Sequence, residues 1–177
     1  MAVGDELAQR TGLKLLHNHV TIELALQFFP FGDPAFYRIV ADLRRRVMEE
    51  VAASTLTGLI VTYVWALDDP RDKQAVDEWI SIFEAQGRQA LFVELAASQA
   101  VRIERNGTEF RLSQKPSKRD RDASEQRLVA LDQRHKLNST DEFDGADNYL
   151  RIDNMNVSAA LAAKMICDRF GLAPRPL

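Results

Sequence analysis

Gly58–Ala66 reads GLIVTYVWA, an apolar, aromatic and β-branched run with no charge in it. A strand with one wet face alternates apolar and polar residues, so an unbroken run predicts a strand covered on both faces. Ala90–Leu95 predicts a second buried strand, and Leu13–Leu16 and Tyr149–Ile152 two shorter ones. Helical patterns lie between them. Val3–Arg10 comes first and Thr21–Phe29 follows β-like Leu13–Leu16. Asp33-Pro34 then opens a long helix carrying Phe36, Ile39, Val40, Leu43, Val47 and Val51. Asp69-Pro70 opens another, with Val76, Trp79, Ile80 and Phe83 on one stripe before Gly87 closes it. In both, a capping Asp precedes a proline whose missing N–H is no loss in the first turn. A helix to about Arg105, one over Ala123–Lys136 and a last one over Ser158–Phe170 complete the series. Strands alternating with helices imply right-handed crossovers. The expectation is one α/β domain over residues 1–177, three layers deep, with a parallel sheet between helices.

Composition sets outer limits. The 177 residues carry 46% apolar and 28% charged side chains with a net charge of −3, the profile of a globular domain without a general pull toward nucleic acid or anionic lipid. No apolar run approaches the roughly 18 residues of a membrane span, and the start lacks a signal-peptide core. The single cysteine, Cys167, lies in a helical run and has no intrachain partner. It reads as a small core residue in a reducing compartment, so a cytoplasmic location is expected. No internal repeat or low-complexity tract interrupts the chain.

The first 23 residues add a family signal. VGDELAQRTGLKLLHNH is a helix, a Gly-Leu link and a strand ending in polar residues, with no strand ahead of the helix. It resembles the stretch that follows the phosphate-binding loop in shikimate- and gluconate-kinase-like P-loop proteins. LLHNHVTIELALQFFPFG, EEVAAS, GLIVTYVWALDDP, LFVEL, RNGTEFRL, KPSKRD and YLRIDN are similar, in the same order, to segments of a bacterial "AAA-family" group of that class. The resemblance implies an ATP- and magnesium-dependent phosphotransferase or ATPase acting on a small-molecule acceptor. It also implies a sheet of order 2-3-1-4-5, whose first, central strand and Walker A loop would precede Met1. On that reading Met1 takes the place of the loop's Ser/Thr.

The missing parts have physical consequences. A phosphate loop wraps backbone N–H groups around an anion at a helix N-terminus. The helix near Val3 has the positive dipole end, but Asp5 and Glu6 stand there instead of a lysine. Without a central strand, Leu59–Val64 and Ala90–Leu95 would each lack partners along one edge. Each buried, unpaired backbone group costs roughly 1–3 kcal/mol, so low stability or self-association through open strand edges is expected.

Three clusters are candidate sites. His17, Asn18, His19, Thr21 and Glu23 fall at the end of a strand, where open α/β sheets bind ligands. By the resemblance, His17 and His19 occupy the two aspartate positions that face the acceptor, which makes shikimate itself an unexpected substrate. His19 is the candidate general base, since imidazole titrates near neutral pH; the alternative is a polar loop of hydrogen-bonding histidines. Zinc fits poorly, because a His-x-His pair has no third ligand near it in sequence.

The second cluster is Arg105, Arg111, Lys115, Lys118 and Arg119. The resemblance places residues 105–121 as a lid whose arginines reach the transferred phosphoryl group, a role that suits their planar, permanently charged forks. Arg111 and Arg119 are the candidate charge stabilisers, and a solvated basic loop is the alternative. Only Phe110 interleaves aromatically, which argues against a nucleic-acid site. Thr62, Tyr63, Trp65, Asp68 and Asp69 form the third cluster, beyond the buried strand. Trp65 is a candidate pocket wall, Asp68 a candidate magnesium ligand and Asp69 a helix cap. Phe28, Phe29, Phe31 and Phe36 read as packing, and Asp153-Asn154 matches the segment near adenine in the resembling family. Three functions stay open: a P-loop kinase or ATPase, a nucleotide-binding regulator of the same fold, and an inactive product of a misplaced start.

Overall fold

The computed structural model describes residues 1–106 and 121–175. The chain is mixed α/β. Helix α1 (Ala2–Thr11) ends on Gly12, whose φ of 75° is the left-handed cap that glycine adopts without strain. Strand β1 (Lys14–His17) leads straight into α2 (Asn18–Ala25), and α3 (Pro34–Ala53) runs to β2 (Leu59–Thr62). Helix α4 (Pro70–Glu84), β3 (Phe92–Ala96) and α5 (Gln99–Asn106) follow. After them come α6 (Arg121–Arg134), β4 (Tyr149–Asp153) and α7 (Ala159–Phe170). The two expected caps are present, with Asp33 Oδ1 accepting from Ala35 N at 2.7 Å and Asp69 Oδ1 from Arg71 N at 2.9 Å; Ser158, read as the first residue of the last helix, instead caps it, its Oγ accepting from Leu161 N at 3.2 Å.

The parallel strands form two pairs. β1 lies against β2 with Lys14 opposite Leu59 and His17 opposite Thr62. β3 lies against β4 with Phe92 opposite Tyr149 and Ala96 opposite Asp153. Among the described residues no strand joins β2 to β3, so the sheet is split into two two-stranded pieces. A cavity of about 850 Å³ lies where they would meet, lined by Leu59, Ile60 and Val61 of β2, Phe92 and Val93 of β3, and Leu7 of α1.

β2 is therefore neither as long nor as buried as GLIVTYVWA predicts. All its residues are half-buried, because one edge faces the cavity. Past Thr62 the chain leaves the sheet. Ala66 N donates to Asp72 Oδ2 at 2.8 Å and Leu67 N to Lys136 O at 2.8 Å, which spends its amides outside any ladder.

The main core joins α1 to α7 over β4. Val3 and Leu7 pack with Ile152, Ala162, Ala163 and Ile166, and the two alanines let the helices approach closely. The direction of α1 is fixed by its contacts. A Cβ on Gly4 would stand 3.1 Å from Leu15 Cδ1 and 3.4 Å from Thr62 Cγ2, so the start of α1 lies by the C-terminal end of β2. Lys14 N donates to Gly58 O at 3.2 Å at the opposite end. A second cluster of Ala25, Phe36 and Val40 seats α2 on α3.

Along α3 the buried face is Phe36, Val40, Met48 and Ala52. The stripe expected through Val47 is turned by one position, and Val47 is exposed. At the other side α5 and α6 are clamped by Arg102, whose Nη1 and Nη2 reach Asp132 at 2.7 and 2.8 Å, and by Asn106 Nδ2 donating to Ser124 Oγ at 2.8 Å. No described helix is long and apolar enough to cross a membrane.

Candidate functional site

The end of β1 and the end of β2 place His17 beside Thr62. Asn18 N donates to Thr62 Oγ1 at 3.2 Å, tying the start of α2 to β2. His17 is the residue before that helix, and its Nδ1 accepts from His19 N at 3.1 Å. A ring nitrogen that accepts carries no proton, so the neutral His17 ring is protonated at Nε2. The ring thus caps α2, which has no Ser, Thr, Asn or Asp in the capping position.

His19 stands one residue into α2, its ring 5.7 Å from that of His17. Its Nδ1 is 3.6 Å from Glu23 Oε1, one turn further on, and both side chains are largely shielded from solvent. A carboxylate beside an imidazole orients the ring and stabilises the imidazolium formed on taking up a proton. Thr21 is buried and faces inward. Its hydroxyl donates to Asn18 O at 3.3 Å and accepts from Arg44 Nε at 3.1 Å.

Arg44 is the residue missed by sequence reasoning. Its Nη2 donates to the side-chain and main-chain oxygens of Asn18, the latter at 3.3 Å, and its Cζ lies 5.8 Å from the Tyr63 ring centroid. Burial lowers its pKa below the usual value, against the pull of Tyr63 and Asp72. The signal was present: 36, 40, 44, 48 and 52 recur every four residues on one helix face, and only position 44 is charged. A guanidinium on an apolar stripe needs partners, and the loop at Asn18 supplies them. Tyr63 continues the network, donating to Asp72 Oδ1 at 2.6 Å. Burial first, and then this hydrogen bond, pushes its phenol pKa well up.

The other candidates lie elsewhere. Trp65 does line the cavity, with its ring 6.1 Å from Phe92 and 5.8 Å from Phe143. Asp68 faces the end of α6, accepting from Lys136 N at 3.0 Å and lying 3.3 Å from His135 Nδ1. Among the described residues no three His, Cys, Asp or Glu side chains come together as a metal site. Asp153 Oδ1 accepts from Met155 N at 3.0 Å, closing the turn after β4. Arg105 joins this turn by donating to Met155 O at 2.9 Å. With its amide oriented to satisfy both neighbours, Asn154 accepts from Arg105 Nη1 at 3.1 Å and donates to Val157 O at 3.2 Å. Arg105, Asp153 and Asn154 are therefore brought together, whereas Arg111, Lys115, Lys118 and Arg119 lie outside the described residues.

Of the four phenylalanines read as packing, Phe36 is buried, but Phe28 and Phe31 are 69% and 68% exposed. Helix α2 stops at Ala25, so these two lie beyond its last turn. Phe31 leans on Phe36 and Tyr37, with centroids 5.3 and 5.9 Å away.

The geometry defines an α/β domain with a polar constellation at parallel strand ends. No protein-family model matches the chain, and no curated protein or solved structure does.

Proposed function

We propose that this chain is the greater part of a P-loop kinase-like phosphotransferase or ATPase that acts with ATP and magnesium on a small-molecule acceptor. The observation that carries this reading is the meeting, at the C-terminal ends of β1 and β2, of the His17–Thr62 pair with the start of α1. Strand ends of this kind form the ligand crevice of open α/β sheets, and a helix N-terminus directed there suits phosphate. In this reading His19, oriented by Glu23, takes the acceptor hydroxyl's proton. Asn18 and Thr21 are held by Arg44 in the same crevice, and Arg111 and Arg119 stabilise the charge of the transferred group. Arg105 with Asp153-Asn154 forms the nucleotide's far wall. A glycine-rich loop with its lysine, which this sequence does not contain, would supply the phosphate cradle in a longer form. Asp68 fits magnesium poorly, because its carboxylate is already turned to Lys136 N and His135.

A second reading, nucleotide binding without transfer, is favoured by one feature. His17 Nδ1 is spent as the cap of α2 and so cannot hold a metal through that atom. ATP turnover with and without candidate acceptor alcohols, measured beside equilibrium nucleotide binding, separates the two. Acceptor-stimulated turnover supports the kinase, binding alone supports the regulator, and the absence of both in a loop-bearing form rejects the fold-based reading altogether.

A further inference from the structure

The exposed Phe28 and Phe31 do not stand alone. Val20, Leu24 and Tyr37 are 58%, 43% and 51% exposed. Val20, Leu24 and Phe28 recur every four residues, and the chain keeps winding past α2, with Phe28 N donating to Ala25 O at 3.1 Å. Residues at that spacing share one side of a helix, here turned away from the buried Thr21 and Ala25. Phe31 and Tyr37 continue this face through the turn to α3. Their rings are 5.9 Å apart, and each lies 5.3 Å from that of the buried Phe36. Five side chains this exposed leave on the order of 500 Å² of apolar surface, the upper end for a monomer and a size that marks a contact surface.

We propose that this aromatic corner of α2 and α3 binds a second copy of the chain about a two-fold axis, in a weak and reversible dimer. Charge selects this occupant. On the adjoining exposed side of α3, Arg38 and Asp42 stand one helical turn apart with opposite signs. A face for an acidic or a basic partner would carry one sign. A face with an apolar centre and a matched pair of charges is complementary to itself, because a two-fold rotation sets each Arg38 against the partner's Asp42. Asp42 also meets Arg45 of its own chain at 3.3 Å, an exposed contact of small worth. Ala41, exposed between the two charges, lets a second helix approach closely. The rings are prepared for contact, since Phe36 already seats Phe31 and Tyr37 and little ordering is left to be done on binding. Area sets the strength. Even with its charged rim the face does not exceed the roughly 800 Å² per partner of a standard interface, so the dimer exchanges with monomer. This surface lies apart from the strand edges and does not rest on the phosphotransfer reading.

The test is analytical ultracentrifugation of the full chain without nucleotide, over about two decades of concentration up to about 500 µM. The expected result is a monomer–dimer equilibrium. Phe28→Ser with Phe31→Ser, both at exposed positions, should weaken it about tenfold or more while the thermal midpoint stays that of the parent. Charge exchange tests the two-fold geometry. Arg38→Asp alone, or Asp42→Arg alone, sets like charges across the axis and should weaken the dimer about threefold or more, and the chain carrying both should recover it. A monomer at every concentration overturns the proposal. So does self-association undiminished by the paired serine substitutions, which would assign it to the strand edges or another surface. A double charge exchange no better than either single one overturns the two-fold arrangement.

Discussion

The hydroxyl of Tyr63 donates to Asp72 at 2.6 Å, and the other oxygen of the same carboxylate accepts from Ala66 N at 2.8 Å. One acidic side chain in the first turn of α4 thus takes the chain out of the sheet one residue after β2 ends. Asp72→Ala leaves a half-buried phenol and a buried residue's amide without this acceptor, at a cost of about 2–3 kcal/mol. In a protein of this size that lowers the thermal midpoint by about 4–12 °C. Asp72→Asn keeps an acceptor and should lose less; equal midpoints for both variants and the parent would show that the carboxylate does not hold this turn.

Arg44 tests the polar constellation itself. Its guanidinium, on the apolar stripe of α3, donates to Thr21 and to both oxygens of Asn18. Arg44→Met fills the stripe but leaves those oxygens unpaired, and about 2 kcal/mol of stability should be lost. Arg44→Lys retains the charge without the planar fork, so it should recover only part of the loss. Full recovery by lysine, in urea unfolding, would mean that charge alone matters there.

Much of this organisation was legible in the residues because local rules and tertiary packing agree. The Asp33-Pro34 and Asp69-Pro70 starts need only the chain's own amides, and both caps stand where the sequence places them. The apolar runs marked every described strand. Their lengths were not legible, because Tyr63 to Ala66 are as apolar or aromatic as the strand before them and the bonds that remove them come from Asp72. The face of α3 was misplaced for a related reason. Val47 and Met48 are both apolar, and only packing decides that Met48 is the one fully buried. The strand-end histidines could be found, but the residue that holds their loop, Arg44, lies 26 positions from Asn18. Such a partnership is written in no local pattern except a charge on an apolar stripe.

Glu94 gives a pH dependence. Burial works to raise its pKa, but hydrogen bonds from Ser139, Tyr149 and Asn138 outweigh it and hold the carboxyl below its ordinary 4.5. The donors are close: Ser139 Oγ and Tyr149 OH at 2.6 Å and Asn138 Nδ2 at 2.8 Å. A folded-state pKa below the unfolded one contributes stability that is present above pH 4.5 and is lost as pH falls through the folded value. Unfolding free energy should therefore decline on acidification below pH 4.5. Glu94→Gln should be less stable at pH 7 and show a shallower decline. Parallel pH profiles for the two proteins would assign acid sensitivity to other carboxylates.

The proposed chemistry stands or falls on His19 and Glu23, whose side chains lie 3.6 Å apart. If His19 removes a proton from the acceptor in a loop-bearing form, His19→Ala should lower kcat about 100-fold or more, in the range of general-base losses. Glu23→Gln keeps the size and a hydrogen-bond acceptor but removes the charge that stabilises the imidazolium, so its loss should be smaller and fall on kcat rather than KM. Nucleotide affinity should be unchanged in both, because neither residue is assigned to the nucleotide. The pH profile then discriminates further. A parent rate that rises with deprotonation of one group near neutral pH, flattened in His19→Ala, identifies the imidazole as the base. If nucleotide affinity falls together with turnover, the His19 ring supports the strand-end loop rather than removing a proton, and the kinase assignment of this residue is lost.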